Sequence, residues 1–202
     1  MVPSTQLTAK GATTRARIVE ATADAILARG IGATSLDDVR TATATSKSQL
    51  FHYFPGGKAE LVRAVVALQG ERVMEAQRPA LDTLATWEDW DRWRAQLLAF
   101  YGAQHGWGCP IGSLASEAAG TDPALAAELV DYLRRWRGHL QAGLETMRTA
   151  GLLRPDTDPS RLATATLATV QGGLMLTQAE HALWPLEAAL DAALAALHAQ
   201  AA

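Results

Sequence analysis

The chain has 202 residues, of which 49% are hydrophobic and 19% are charged, and its formal net charge is −3. This composition supports a sizeable buried core and excludes a disordered chain, and the net charge argues against a protein that is basic throughout. The single cysteine, Cys109, excludes an internal disulfide framework and a thiolate zinc cluster. No apolar run approaches the ~18 residues of a membrane span, and the N-terminus MVPSTQLTAKGATTRAR lacks the apolar core of a secretory signal. We therefore expect a soluble, cytoplasmic protein with no membrane partner.

The charge is distributed unevenly along the chain. Residues 1–60 carry seven basic and five acidic residues, a formal charge of +2, whereas the remaining 142 residues carry 11 basic and 16 acidic residues, a charge of −5. Residues 1–60, called here the head, are mildly basic, and the remaining residues, called the body, are acidic. This difference favours an anionic partner for the head alone. This charge permits DNA binding without requiring it.

The first third of the chain contains the capping and terminating residues that are typical of helices. It lacks the alternation of apolar and polar residues that is typical of strands. Thr14 is expected to cap a first helix that ends at Arg29-Gly30. Ser35, with Asp38 three positions later, forms a capping-box pattern that opens a short helix through about Ala42. We therefore expect two helices before the next turn.

A third short helix and a long one follow. Ser46 can cap the segment SKSQLFHYF, which Pro55-Gly56-Gly57 ends, and Lys58 begins a long helix to about Gln77. This start divides the chain into two predicted domains, 1–57 and 58–202.

The second half continues in the same style. A Trp-rich helix is predicted over about 87–104, followed by a Gly-rich break and a short helix over 113–119. Thr121 or Asp122 before Pro123 opens a helix to about 150, and Asp158-Pro159 opens one over 159–181. A last helix follows Trp184-Pro185. The prediction is an all-α fold of nine helices, six of them long.

Two adjacent short helices in the head fit a helix-turn-helix pattern. Leu36 and Val39 can brace the second helix, and we expect Leu50, Phe51 and Phe54 to anchor it in the core. The second helix would then be held firmly enough to enter a DNA groove.

Short polar side chains lie near the start of that second helix. Lys47, Ser48 and Gln49 supply donors and acceptors, with His52 and Tyr53 on the outer face. Gln49 could pair bidentately with an adenine edge, and Lys47 with phosphate or guanine. The alternative interpretation is that such residues on a short helix are simply solvated.

Two helix starts can contribute phosphate contacts. Backbone N–H groups at the starts near Ser35 and Lys58 point out of their helices, and Lys58 adds a positive charge. The predicted DNA-binding residues are therefore Ser35, Ser46, Lys47, Ser48, Gln49, His52, Tyr53 and Lys58.

The stretch from about Thr13 to Val66, and SKSQLFHYFPGGKAEL above all, resembles the DNA-binding domain of TetR-family transcriptional regulators. The resemblance implies that Ser46 to Tyr53 form the recognition helix and that Lys58 starts the helix leading to a ligand domain. The turn reads Ala44-Thr45 where Gly-Val is common, so a left-handed residue there would carry a small steric cost. Phe51 stands where Tyr is common, which removes a hydroxyl.

The body of the chain is similar to the LmrA/YxaF-like branch of that family, through GCPIGSLASEAAGTDPALAAEL and QGGLMLTQAE. The resemblance implies a C-terminal domain that dimerises and binds an aromatic or drug-like effector, whose binding releases operator DNA. An apolar pocket with a few polar groups suits such a ligand, and Gln178 could add a polar contact. The candidate lining residues are Trp90, Trp93, Phe100, Tyr101, Trp107, Cys109, Trp136, Met147, Gln171 and Met175. The alternative is that the aromatic residues are core or dimer contacts.

An apolar seam at the C-terminus invites a dimer interface, and intramolecular packing is the alternative. Its candidates are Leu162, Leu186, Leu190, Leu194 and Leu197. The predicted function is that of a homodimeric transcriptional repressor that binds double-stranded operator DNA. No cofactor, metal or catalytic residue is predicted.

The sequence leaves two other functions open. One is a constitutive DNA-binding protein without a ligand. The other is a redox sensor or enzyme that uses Cys109, with His105 as its base. That pair lacks an orienting third group, and no HExxH or GxSxG occurs.

Overall fold

The computed structural model describes residues 8–103, 108–120 and 122–202. The described residues form nine α-helices and one 3₁₀ turn and contain no strand, which confirms the predicted all-α fold. Among them, no helix combines the length and apolar composition that crossing a bilayer requires. The helices are α1 Ala9–Ala33, α2 Leu36–Thr43, α3 Lys47–Tyr53, α4 Gly57–Glu75, α5 Trp87–Ala103, α6 Pro110–Ala118, α7 Pro123–Thr149, α8 Pro159–Glu180 and α9 Trp184–His198, and the 3₁₀ turn is Ala80–Asp82.

The chain divides into two compact units, Met1–Gln69 and Gly70–Ala202, called here the N-terminal and C-terminal units. The division falls inside α4, whereas the sequence boundary at 57/58 lies at the start of the same helix. Side chains of α1 to α4 form the core of the N-terminal unit. Its fully buried members include Ile18, Val39, Leu50, Phe54 and Val65.

The first helix begins earlier than the sequence analysis predicted. The Thr8 side chain caps α1 by accepting a hydrogen bond from the Gly11 N–H, and Thr14 lies within the helix with its hydroxyl donating to the Lys10 carbonyl at 3.0 Å. Thr14 is thus wrong as the cap, because the helix already begins after an earlier threonine, Thr8. Gly30 adopts a φ of 84°, a conformation that glycine tolerates, and interrupts α1 at the predicted place.

The predicted capping box at Ser35 is present, and the predicted cap Ser46 forms a second box. Ser35 accepts a hydrogen bond from the Asp38 N–H while Asp38 accepts one from the Ser35 N–H, and Ser46 and Gln49 form the same pair at the start of α3. Each box satisfies backbone N–H groups that have no partner within the helix.

Aspartate-proline pairs open two long helices of the C-terminal unit. Asp122 and Asp158 accept hydrogen bonds from the N–H groups of the following turns, with Pro123 and Pro159 at the first helical positions. The short α6 starts at Pro110 rather than near Ser113, because Cys109 occupies the cap position before that proline. These starts fix the helices that enclose the cavity described below.

The start of α5 is held by a buried carboxylate. Asp89 accepts hydrogen bonds from the Ala85 N–H at 3.1 Å, from the Thr86 N–H at 2.8 Å and from the Thr86 hydroxyl at 2.8 Å, and it pairs with Arg92. Burial raises the pKa of this carboxyl, and the bonds from Thr86, Ala85 and Arg92 lower the pKa by more, so the net shift is downward.

The last two helices pack tightly on each other. A Cβ placed on Gly173 of α8 would lie 2.5 Å from the Ala189 Cβ and 3.1 Å from the Pro185 carbonyl of α9, so this glycine permits the close approach. Leucines of α9 fill the space beside it. The buried ones are Leu186, Leu190, Leu194 and Leu197.

Candidate DNA-binding and effector sites

The second helix of the helix-turn-helix, α3, presents a polar outer face. Lys47, Ser48 and His52 are exposed, whereas Leu50 and Phe54 are fully buried. Ser46 and Gln49 are exposed as well, and Tyr53 is half-buried with its ring 5.0 Å from that of His52. The helix is therefore anchored on one side and open to a partner on the other, as the sequence analysis expected.

The turn between α2 and α3 contains a strained residue. Ala44 adopts φ 48° and ψ 38°, the left-handed conformation, and its N–H bonds to the Arg40 and Thr41 carbonyls. The Arg17 guanidinium donates to the Thr43 carbonyl and ties α1 to the same turn. The turn is thus fixed from both sides despite the steric cost at Ala44.

The side chain of Gln49 is already engaged. Its Oε1 accepts a hydrogen bond from the Ser46 N–H at 3.1 Å, while the backbone N–H of Gln49 donates to the Ser46 hydroxyl at 3.1 Å. A bidentate pair with adenine uses both the oxygen and the nitrogen of the amide. Gln49 would have to leave its capping box to make that pair, so Lys47, Ser48 and His52 are the polar groups of this helix that are more readily presented.

Carboxylates lie at the two helix starts that were predicted to hold phosphates. The Asp38 carboxylate accepts bonds from the Ser35 N–H at 2.9 Å and the Ser35 hydroxyl at 2.7 Å, and these bonds lower the pKa of Asp38. Glu60 accepts a bond from the Gly56 N–H at 2.8 Å. These N–H groups are therefore satisfied within the chain. The Lys58 ammonium lies 3.5 Å from the Gly32 carbonyl and remains the cationic group at the start of α4.

Sequence reasoning misassigned one residue of this face and missed another. Phe51 was expected in the core but is 40% exposed. The helix α3 is only two turns long, and only one of its sides, the side that carries Leu50 and Phe54, packs against the core. Arg40, which was not singled out, lines a polar groove of about 530 Å³ with Thr41, Thr45 and Ser46 among others. Its position in the last turn of α2, beside the start of α3, was the available signal.

A cavity of about 580 Å³ lies between α6, α7 and α8 in the C-terminal unit. It brings together Cys109, Gln171 and Met175, three of the predicted ligand residues, with Gln178 beside them. The rest of the lining is Gly112, Ser113, Ala115, Ser116, Glu117, Leu133 and Leu174. Small and apolar side chains therefore make most of the wall, and a few polar groups interrupt it.

The polar groups of this cavity contact one another across α6 and α8. The Ser113 hydroxyl donates to the Gln178 Oε1 at 3.1 Å, and the Gln171 Nε2 lies 3.5 Å from the Cys109 sulfur. The Gly112 N–H lies 3.5 Å from the same sulfur. These contacts orient two amides and a thiol toward the same space.

Tyr101 is buried near the thiol. Its side chain is 2% exposed, and its hydroxyl makes no hydrogen bond of good geometry with the described residues. Burial, and secondly the neighbouring Cys109, raise the pKa of this hydroxyl well above its ordinary value. Tyr101 therefore remains a neutral phenol behind the cavity wall.

The other predicted aromatic ligand residues are core residues, and the structure does not bring them to the cavity. The Trp90 indole N–H lies 3.0 Å from the Met147 sulfur, and the Trp93 indole N–H donates to the Gln77 Oε1 at 2.9 Å. Trp136 is 1% exposed, and none of these side chains lines the cavity. Their large rings fill the centre of the helical unit instead.

Two of the remaining predicted ligand residues were aromatic. Phe100 is half-buried with its ring 4.9 Å from that of Tyr101, and it does not line the cavity. Trp107, like His105, lies outside the described residues.

The predicted dimer leucines are also placed differently. Leu186, Leu190, Leu194 and Leu197 are at most 7% exposed within the single chain, so they pack inside the protomer and are not available to a partner; Leu162 is half-buried. The exposed apolar residues of this hairpin are Met175, Leu176 and Trp184, with exposures of 64%, 46% and 59%. Periodicity alone did not reveal which apolar stripe of the two helices faces inward.

A second groove of about 710 Å³ runs along α5 and the 3₁₀ turn, lined by Pro79, Ala80, Ala95 and Ala99 among others, and it contains none of the predicted residues. Within the part of the chain that the structure describes, no group of three or more His, Cys, Asp or Glu side chains could hold a metal ion.

Comparison with known families matches both halves of the chain. Residues 18–65 match the family described as bacterial regulatory proteins, tetR family, and residues 87–193 match the tetracyclin repressor-like C-terminal domain. The LmrA/YxaF-like branch is not confirmed and stays a prediction.

Individual proteins resemble the chain over most of its length. An uncharacterised HTH-type transcriptional regulator of Mycobacterium tuberculosis is 29% identical over 187 residues, which is 86% of this chain and 88% of the relative. One of Lactococcus lactis is 28% identical over 191 residues, covering 88% and 90%. The crystal structure of a TetR transcriptional regulator from Chloroflexus aurantiacus superposes with a TM-score of 0.84 at 25% identity, over 96% of this chain and 98% of that one.

Proposed function

The chain belongs to the TetR family of bacterial regulatory proteins, and on that basis we propose that it is a homodimeric repressor released from its operator by a small, largely apolar ligand. Regulators of this family bind operator DNA, act as dimers and are not enzymes. The observation that carries the proposal is the cavity of about 580 Å³ in the C-terminal unit of a chain whose N-terminal unit is a helix-turn-helix. A constitutive DNA-binding protein has no use for such a cavity.

The N-terminal unit supplies the DNA-binding surface in this proposal. Lys47, Ser48 and His52 would face the base edges of the major groove, with Ser46 and Tyr53 at the margins of α3. The unit carries eight basic and five acidic residues, a formal charge of +3, which favours DNA phosphates. Two copies of α3 related by a two-fold axis would require half-sites about one helical turn or somewhat more apart.

Lys58 is proposed as a phosphate contact at the start of α4. Ser35, at the neighbouring helix start, is left out of this proposal because its N–H and its hydroxyl already donate to the Asp38 carboxylate. Because a phosphate contact does not depend on the base sequence, Lys58→Ala should weaken binding to specific and random DNA by a similar factor. The slope of log affinity against log salt should fall by about one. Ser48→Ala, on the outer face of α3, is the matched variant: it should lower the preference for the specific site and leave the salt slope unchanged.

The cavity is proposed as the effector site, and its lining indicates the class of ligand. Its volume lies within the range of small-molecule sites, at roughly 300–1,000 Å³. The amides of Gln171 and Gln178 can each donate and accept, while Met175, Leu174 and the Cys109 thiol offer polarisable or apolar contacts. We therefore propose a drug-like molecule with an apolar, aromatic body and one or two hydrogen-bonding groups.

The dimer surface is proposed on the exposed apolar residues of α8 and α9, which are Met175, Leu176 and Trp184. Trp184→Glu should raise the dimer dissociation constant, because a charge at an apolar interface core is costly. Sedimentation equilibrium measures this constant directly. Val130→Glu, at another exposed apolar position, should leave it unchanged.

Release from DNA would follow from a difference in ligand affinity between two conformations of the dimer. A shift from 99% to 1% of the DNA-competent conformation needs about 5.5 kcal/mol of differential affinity. By linkage, operator DNA must weaken ligand binding by the factor by which the ligand weakens DNA binding.

The test begins with an operator selected from a random DNA pool by the wild-type protein. Fluorescence anisotropy at fixed salt then measures its affinity with and without a panel of aromatic and cationic compounds. A compound that releases the DNA should lose this effect in Ala115→Phe, whose ring would fill the cavity, and keep it in Ala119→Phe, an exposed position one turn further on. Equal loss or equal retention of release in both variants would contradict the cavity as the effector site.

A further inference from the structure

The recognition helix α3 exposes one large apolar side chain. Phe51 is 40% exposed, although the other apolar residues of this segment, Leu50 and Phe54, are fully buried. The ring is not free to move in every direction, since its Cε1 atom lies 3.6 Å from the point where a Cβ on Gly57 would stand. One edge of the ring therefore rests over the start of α4, and the remainder faces outward.

The neighbours of Phe51 place the ring on the face that would enter a groove. Lys47 lies one turn before Phe51, and Ser48 lies one turn before His52, so that these four exposed residues share the outer side of α3. Lys47, Ser48 and His52 can donate or accept hydrogen bonds, whereas the phenyl ring can do neither. A ring held there needs an apolar partner.

Among the groups that the four possible base pairs present in the major groove, the apolar one is the C5 methyl of thymine. A phosphate is a poor alternative, because the ring would displace water from the anion without replacing a hydrogen bond. We propose that Phe51 is a specificity-determining residue that contacts a thymine methyl in each half-site of the operator, an inference that rests on the proposed DNA-binding function. The restricted ring reduces the entropy lost on contact.

Uracil substitution tests this contact without changing any hydrogen-bonding group of the base. Each thymine of the selected operator is replaced singly by uracil, and anisotropy measures the affinity of the wild-type protein and of Phe51→Ala. One thymine in each half-site should show a loss of about fourfold for the wild-type protein, as expected when one methyl leaves an apolar contact. In Phe51→Ala the loss at the same thymine should fall below about 1.5-fold, because the contact is already absent.

Two further variants distinguish a contact between Phe51 and the thymine methyl from a general loss of DNA affinity. Phe51→Leu should keep part of the methyl effect, since leucine is apolar and reaches outward. Ser48→Ala should keep the full effect at that thymine while its overall affinity falls. Unchanged unfolding curves for the Phe51 variants show that the fold is intact, as the exposure of the ring leads us to expect.

The outcomes are distinguishable. Sequence-specific binding in which no thymine methyl matters, or in which methyl removal affects the wild-type protein and Phe51→Ala equally, would overturn the role of Phe51 alone. Failure of the wild-type protein to select any sequence from the pool would overturn the proposed function together with it.

Discussion

Replacement of Ala44 by glycine should stabilise the N-terminal unit. Ala44 has φ 48° and its side chain is exposed, so Ala44→Gly removes steric strain without removing a packing contact. The left-handed conformation costs an L-residue about 1–2 kcal/mol, whereas glycine loses about 0.4–1 kcal/mol more chain entropy on folding. The difference predicts a gain of about 0.5–1 kcal/mol in the free energy of unfolding of this unit.

Ala42 provides the matched control, because it is exposed and lies two residues earlier, inside α2. There the same substitution removes a good helix former and should cost about 1 kcal/mol. The two variants each remove one methyl group, yet they should shift the free energy of unfolding in opposite directions.

Hydrogen exchange of the Leu50 amide reports this unit selectively. That N–H donates to the Ser46 carbonyl at 3.0 Å at the start of α3, while all six tryptophans lie beyond residue 69, so tryptophan fluorescence reports the other unit. Exchange should slow by about two- to fivefold in Ala44→Gly and accelerate in Ala42→Gly. A faster exchange in Ala44→Gly would refute the argument that the turn is strained.

Two further predictions concern the C-terminal unit and are read by tryptophan fluorescence during urea unfolding. Gly143→Ala should lower the free energy of unfolding by about 1–3 kcal/mol, because the new Cβ would lie 2.5 Å from the Leu84 Cβ. Gly138→Ala is the control: its Cβ would meet no atom within 4 Å, so this variant should gain about 1 kcal/mol. Equal effects of the two substitutions would contradict the close packing at Gly143. Because the folded-state pKa of Asp89 is lowered, its stabilisation is present above about pH 4 and lost as pH falls through that pKa. Asp89→Asn should therefore lower stability at pH 7 and flatten its acid dependence, whereas Asp91→Asn, at an exposed position, should do neither.

Local signals in the sequence were sufficient for the number and order of the helices and for the burial of Leu50 and Phe54 in α3, although the starts of α1 and α6 were misplaced. The capping boxes at Ser35 and Ser46 join residues only three positions apart, and the Asp-Pro pairs act within a single turn. Local preferences can decide these features because every partner lies within a few residues.

The errors share a different cause, which is that apolar residues do not carry the identity of their partners. Phe51 and Leu50 are neighbours in the sequence, yet one is 40% exposed and the other is fully buried. Trp90 was assigned to a ligand and Leu190 to a dimer, and both are core residues of the protomer. Burial is non-directional, so composition and periodicity alone could not say which apolar surface covers which.

The sequence by itself therefore determined an all-α regulator of the TetR family and the polar outer face of α3. The tertiary structure decided which residues share the cavity: Cys109 and Gln171 meet across 62 positions of the chain only because α6 and α8 enclose the same space. It also decided that the leucines of α9 face inward and that Met175, Leu176 and Trp184 face outward. Capping is set by neighbours along the chain, whereas cavities and exposed faces are set by how whole helices pack, and packing depends on all of them at once.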